Sequence, residues 1–168
     1  MNHHFQKYYQ SEYQNAWMRI LAGSALGIGM GVLYYYFPYE LISGIWWSIF
    51  LISIYQIGRG IKKLRRAQIR TKTIQLHWEQ QAQQLISSEI TYLQARLPKY
   101  KFHRNIEILL IIIGFVLILL GGFFNFGWFM LGSGLGLFLQ GGVSLYLEII
   151  AEWYAGKFLS KLSRIENS

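Results

Sequence analysis

The sequence predicts an all-α integral membrane protein. Four transmembrane helices form two hairpins, with both termini inside, a cytoplasmic helical segment between helices two and three, and an amphipathic C-terminal helix. Three observations predict this. Apolar residues make up 53% of the chain and charged residues only 14%, against about 25% charged in ordinary soluble domains. Four apolar runs, each long enough to cross about 30 Å of hydrocarbon as a helix, come in two closely spaced pairs. None of the sixteen Lys and Arg residues lies in the short connections within the pairs, and cytoplasmic loops are where such residues collect.

Residues 1–17 form a polar, aromatic N-terminal segment. The first span, 18–37, carries no charge after Arg19. It is too long for a signal-peptide core, and it ends in Tyr34, Tyr35, Tyr36 and Phe37 where a cleavage site needs small residues. Pro38, Tyr39 and Glu40 make a tight turn into the second span, 41–58, completing a hairpin over 18–58. The third span, 106–124, turns through Asn125, Phe126 and Gly127 into the fourth, 128–147, giving the second hairpin over 106–147. Eleven of the sixteen Lys and Arg fall between the hairpins, with Lys7 and Arg19 before them and Lys157, Lys161 and Arg164 after. This places both termini and the middle segment in the cytoplasm. The absence of a cleavable signal fits a bacterial inner (plasma) membrane. Tyr34 to Phe37, Tyr39, Trp46 and Trp47 on one hairpin, and Phe123, Phe124, Phe126, Trp128 and Phe129 on the other, form the outer aromatic belt.

The segment 59–105 opens with seven Lys/Arg and no acid between Arg59 and Lys72. From Ile61 to Leu97 it contains no Gly or Pro, and Ile86, Ile90, Leu93 and Leu97 make an apolar stripe at helical spacing. A straight helix over 61–97 would be about 55 Å long, whereas 98–105 fully extended reaches back only about 25–28 Å. The segment must therefore lie along the surface or fold back, and a helical hairpin turning at Thr71-Lys72-Thr73 or Ser87-Ser88 is the expectation. In the C-terminal segment, 148–168, Ile150, Tyr154, Phe158, Leu162 and Ile165 form a second stripe. Two amphipathic pieces on one side of the membrane should pack together. Glu148 and Glu152 then reach the level of Arg59, Lys62 and Lys63, to pair with them or remain solvated.

Composition removes most chemistry. There is no Cys, and all eight acids are Glu, so disulfides, thiolate sites and Asp-based metal clusters are excluded. No metal, cofactor or catalytic set is expected. Arg70 and His77 have the spacing of an RNA-cleaving pair and are similar in that respect to HEPN-type nucleases. Two positions in a membrane-flanked helix are better read as a solvated face.

The intramembrane pattern is glycine. Gly23, Gly27 and Gly31 in span one, and Gly132 and Gly136 in span four, are spaced for close helix packing, within one bundle or between copies in a homo-oligomer. The central thickness of every span lacks an ionisable group, with Glu107 and Glu148 near the inner ends, which argues against a proton-coupled pump. Gln56, Gln140 and Ser144 are candidates for pore lining or for interhelical hydrogen bonds. Arg59, Lys62, Lys63, Arg65, Arg66, Arg70 and Lys72 are expected to meet anionic lipid headgroups or a cytoplasmic protein partner. Nucleic acid is not expected, because no aromatic stacking platform is interleaved with the charges. The leading expectation is a non-enzymatic membrane subunit or anchor that oligomerises through its Gly-rich helices and presents a basic cytoplasmic helical surface to a partner. The alternative is a homo-oligomeric channel, including a membrane-permeabilising effector.

Overall fold

A computed structural model describes residues 3–124 and 126–166, and these are helical apart from two short connections. Four helices follow one another: α1 (His3–Tyr36), α2 (Glu40–Trp78), α3 (Gln81–Phe123) and α4 (Trp128–Glu166). All four are long and apolar enough to cross a membrane. At 1.5 Å per residue, α2 and α4 are each about 58 Å long, roughly twice the hydrocarbon thickness. Each helix therefore has an apolar half and a charged half.

Local chemistry sets the breaks. Phe37 precedes Pro38, and a residue before proline is pushed out of the α region, so α1 stops at Tyr36. Glu40 then opens α2 with a carboxylate in its first turn, where the helix dipole favours negative charge. Between α3 and α4, Gly127 adopts φ 107°, a conformation that costs glycine little. Asn125, expected in this turn, lies outside the described residues.

The chain does reverse between α2 and α3, but not at 71–73 or 87–88. Both stretches are helical, and the one residue with non-helical torsions is Gln81, at φ −140° and ψ 36°. The hydroxyls expected to break the helix instead bond back to it: Thr71 to the Ala67 carbonyl at 2.7 Å and Ser88 to the Leu85 carbonyl at 2.9 Å. Beyond the reversal the arms run side by side, with Arg70 bonded to Glu89 and Arg59 to Glu107.

The helical middle segment runs on without a break through 98–105, with Pro98 inside α3. A proline frees the carbonyl four residues earlier, and both Pro98 and Gln94 are exposed, so that carbonyl faces outward. Residues 3–17 are not merely a polar tail but the first four turns of α1, with Phe5, Tyr8, Tyr9, Glu12, Asn15 and Ala16 buried.

The hydrophobic core lies in the charged half. Phe5, Tyr8 and Tyr9 of α1, Ala67 and Ile74 of α2, Ile86, Ile90 and Leu93 of α3, and Ala155, Phe158 and Leu162 of α4 form one cluster. Phe158 stacks on Tyr8 at 4.3 Å between centroids and meets Phe5 edge-on at 5.2 Å. The α3 stripe is as the periodicity indicates, with Leu97 packed at its margin. In the α4 stripe Phe158 and Leu162 are buried as expected, but in its first half Ala151 and Ala155 take the contact and Tyr154 is exposed. The small alanines let α4 approach more closely than a tyrosine would.

In the apolar half, helices meet through glycine. On α1, a methyl at Gly23 would stand 3.2 Å from the Ser53 carbonyl oxygen, and one at Gly31 would stand 3.1 Å from the Trp46 indole nitrogen. On α4, a methyl at Gly132 would collide with the Leu41 carbonyl, and one at Gly136 would lie 2.8 Å from the Ile45 carbonyl. The opposite side of α4 meets α3, where a methyl at Gly134 would be 2.6 Å from the Gly114 carbonyl. So α4 runs between α2 and α3, and α1 leans on α2.

Candidate functional site

Where the apolar half gives way to the charged half, each helix contributes one charged residue to a single layer. Arg19 of α1 bonds to Glu148 of α4. Arg59 of α2 bonds to Glu148 at 3.1 Å and to Glu107 of α3 at 3.2 Å. Ser144 donates to Glu107 at 2.6 Å. Two cations and two anions thus alternate across four helices. Arg19 and Glu148 are each 1% exposed, and buried charges persist only when paired and hydrogen-bonded.

A second tier lies one to two turns further into the charged half. Arg96 bonds to Glu12 at 2.7 Å, Tyr100 donates to Glu12 at 3.1 Å, and Lys63 donates to Asn15 at 2.9 Å. Asn15 also donates to the Leu147 carbonyl at 3.0 Å, tying α1 to α4. Burial pushes the Lys63 ammonium down to about 7, against the pull of Glu12. Burial would raise the Glu12 carboxyl, but Arg96 and Lys63 outweigh it and hold the group below its ordinary value. Burial and Glu12 together push the Tyr100 phenol well up. In a third tier, Tyr9 donates to Glu89 while Arg70 bonds to Glu89 at 2.6 Å and lies 3.3 Å from the centre of the Tyr92 ring.

Beside the first two tiers is a cavity of about 440 Å³. Tyr55, Arg59, Lys62, Lys63 and Arg66 of α2 form one wall, and Arg96, Lys99, Tyr100 and His103 of α3 the other. Arg19 and Glu148 close it. Its lining holds seven Lys/Arg and one carboxylate. Even with Glu12 and Glu107, which pair with Arg96 and Arg59 just behind the wall, cations remain in excess. Lys62, Arg66 and Lys99 are exposed, and no carboxylate pairs with them among the described residues. Arg19 Nη1 is buried without a hydrogen-bond partner. Burial, with Arg59 adding to it, keeps His103 below its ordinary value. Such a lining can hold an anion.

The basic run is divided by this geometry. Arg59, Lys62, Lys63 and Arg66 face the cavity, Arg70 is committed to Glu89, and Arg65 and Lys72 are exposed elsewhere. Glu148 meets Arg59, whereas Glu152 pairs with Arg104 at 2.8 Å. Gln140 donates to Gln56 at 3.2 Å, and both are fully buried, as is nearly all of Ser144. Gly23, Gly27, Gly31, Gly132 and Gly136 all face a neighbouring helix of the same chain. Arg70 and His77 do not converge, since His77 is exposed and its ring nitrogen lies 3.0 Å from the Thr73 carbonyl. Among the described residues no group of His and Glu is placed to hold a metal ion.

Sequence reasoning missed the α3 wall and the α1 floor. Arg96, Lys99, Tyr100 and His103 flank Pro98, a residue that gives no local signal of a helix interior. Phe5, Tyr8, Glu12, Asn15 and Arg19 recur at three- and four-residue spacing, a helical signal concealed by its mixed polarity. Comparison with family models, with curated proteins and with solved structures finds no match.

Proposed function

We propose that the protein is a four-span integral membrane anchor, working as a subunit that presents a basic helical platform on the cytoplasmic side. The spans are the apolar halves, residues 18–37, 41–58, 106–124 and 128–147. The charged halves, with both termini, form the cytoplasmic bundle. The observation that carries this reading is the hydrophobic core of the charged half. Beyond their apolar halves all four helices continue into a bundle with its own buried cluster, and the Lys and Arg residues gather at that end of the helices. Segregation of positive charge favours placing that end in the cytoplasm of a bacterial inner membrane. A platform this well packed is suited to docking an acidic protein surface or anionic headgroups, and needs no reaction centre.

The channel alternative draws less support. Its lining candidates, Gln56 and Gln140, bond to each other inside one chain, and the glycine faces that could join copies are filled by the chain's own helices. The cysteine-free sequence permits a direct test by single-cysteine labelling with a membrane-impermeant maleimide. Tyr39→Cys and Phe126→Cys should label from outside, and Leu76→Cys only after permeabilisation. The inverse pattern overturns the orientation. In nanodiscs, native mass spectrometry should find a monomer or a particle with a second polypeptide. A closed ring of identical copies, with a conductance altered by Gln140→Leu, would replace the anchor with a channel.

A further inference from the structure

The cavity between α2 and α3 has features that a generally basic surface lacks. It is enclosed by two helices and floored by a third and a fourth, and its volume falls within the about 300–1,000 Å³ usual for small-ligand sites. Its cations differ in kind. Arg59 and Arg96 already bond to carboxylates. Lys62, Arg66 and Lys99 at the mouth have no such partner among the described residues. Lys63, inside, donates only to the neutral amide of Asn15. Arg19, on the floor, has a buried Nη1 with nothing to donate to. A ligand that accepted from these groups would satisfy the unpaired donor and offset the surplus charge together.

The acceptor chemistry follows from the donors. Guanidinium groups bind phosphate through paired N–H bonds, and ammonium groups bind it as point charges. The tyrosine hydroxyl of Tyr55 and the His103 ring stand 3.5 Å apart at the rim as further polar groups. A carboxylate ligand would neutralise less charge and engage fewer donors than a phosphate. We infer that this cavity is a binding site for a phosphate group, borne either by an anionic phospholipid headgroup or by a soluble phosphorylated molecule. The low ionisation point of Lys63 agrees with this, since burial discharges an ammonium that a bound dianion would hold charged.

The lipid source rests on the proposed orientation, which puts the cavity at the inner headgroup level. The phosphate chemistry does not. Full-length protein in mixed phosphatidylglycerol/phosphatidylcholine nanodiscs would be released in the mass spectrometer and scored for retained phosphatidylglycerol. In parallel, pyrophosphate would be titrated onto protein in phosphatidylcholine nanodiscs. The test variant is Lys62→Gln/Arg66→Gln/Lys99→Gln, three exposed residues with no ion pair among the described residues. The charge-matched control is Arg65→Gln/Lys72→Gln/Lys101→Gln, exposed and outside the cavity. At about 1 kcal/mol per basic residue, the test variant should lose affinity on the order of 100-fold and the control should not. Dependence seen with phosphatidylglycerol assigns a lipid, and dependence seen with pyrophosphate assigns a soluble phosphate. Equal loss in both variants, or binding in neither arm, overturns the site. The maleimide pattern reports separately on orientation, so its failure leaves a pyrophosphate result standing.

Discussion

The two halves of these four helices are held together by opposite means. In the apolar half, backbone meets backbone: glycine removes the side chain, and aliphatic groups such as Ile28 and Leu51 point away from the protein. In the charged half, aromatic and aliphatic side chains are buried among stacked tiers of ion pairs, with Phe5, Leu93 and Leu162 fully enclosed. The solvent explains the contrast. In hydrocarbon there is no gain in hiding a leucine, so close van der Waals contact must supply the cohesion. In water, burying apolar surface is the dominant favourable term. One continuous helix obeys both rules along its length, and its composition changes where its surroundings do.

The largest effect should come from breaking the layer at the boundary. Glu148→Gln strands Arg19 and weakens Arg59, and removing one partner of a buried pair costs about 3–5 kcal/mol. Thermal unfolding in detergent should show it, and a loss below the about 1 kcal/mol of a surface pair would deny the layer its structural role. Next, Leu93→Ala opens the core of the charged half and should cost about 2–5 kcal/mol. Ile28→Ala, at an exposed position of the apolar half, should leave the midpoint nearly unchanged. Similar losses for the two would erase the distinction between the halves. Gly136→Leu forces α2 and α4 apart and should cost about 1–3 kcal/mol. Gly29→Leu, with nothing within 4 Å of its added carbon, should be tolerated. A reversal of that order would mean that the glycine spacing serves something other than contact within the chain.

A further prediction concerns pH. In the unfolded chain Lys63 holds its proton up to its ordinary value of 10.5, whereas in the fold it does so only up to about 7. Between those values the unfolded state binds more protons, so stability rises with pH across that window. The buried phenols of Tyr8 and Tyr100 act the other way. Their raised values contribute stability that is present below the ordinary value of 10.0 and lost above it. The melting midpoint should therefore climb from neutral pH towards pH 10 and then fall. Lys63→Met should abolish the climb and keep the fall.

The four apolar runs and the gathering of positive charge were legible in the sequence, because a hydrocarbon environment leaves no tolerance for charge. The α3 stripe was legible for a similar reason: Ile86, Ile90 and Leu93 are apolar on one face only. What escaped were positions where tertiary partners overrule local preference. Pro98 is carried inside a helix because Arg96 and Tyr100 on either side are anchored to Glu12. Gln81 reverses the chain with no Gly or Pro to announce it, its place set by the register in which Arg70 meets Glu89 and Arg59 meets Glu107. The cavity could not be seen either, since its walls come from segments that only this reversal brings together.

The partners of α1 carry a consequence for how the protein is made. Arg19 waits for Glu148, Asn15 for the Leu147 carbonyl, and Tyr8 for Phe158, separations of 129 and 132 residues for the first two. Since domains emerge from the ribosome beginning at the N-terminus, the first helix is synthesised long before anything exists to receive its buried face. The glycine contacts of α1 with α2 can close early, holding the unfinished pair with an unpaired arginine where its apolar half gives way to its charged half. Only the arrival of α4, with Glu148 midway along it, satisfies that charge. An incomplete chain is thereby marked as incomplete by its own first helix.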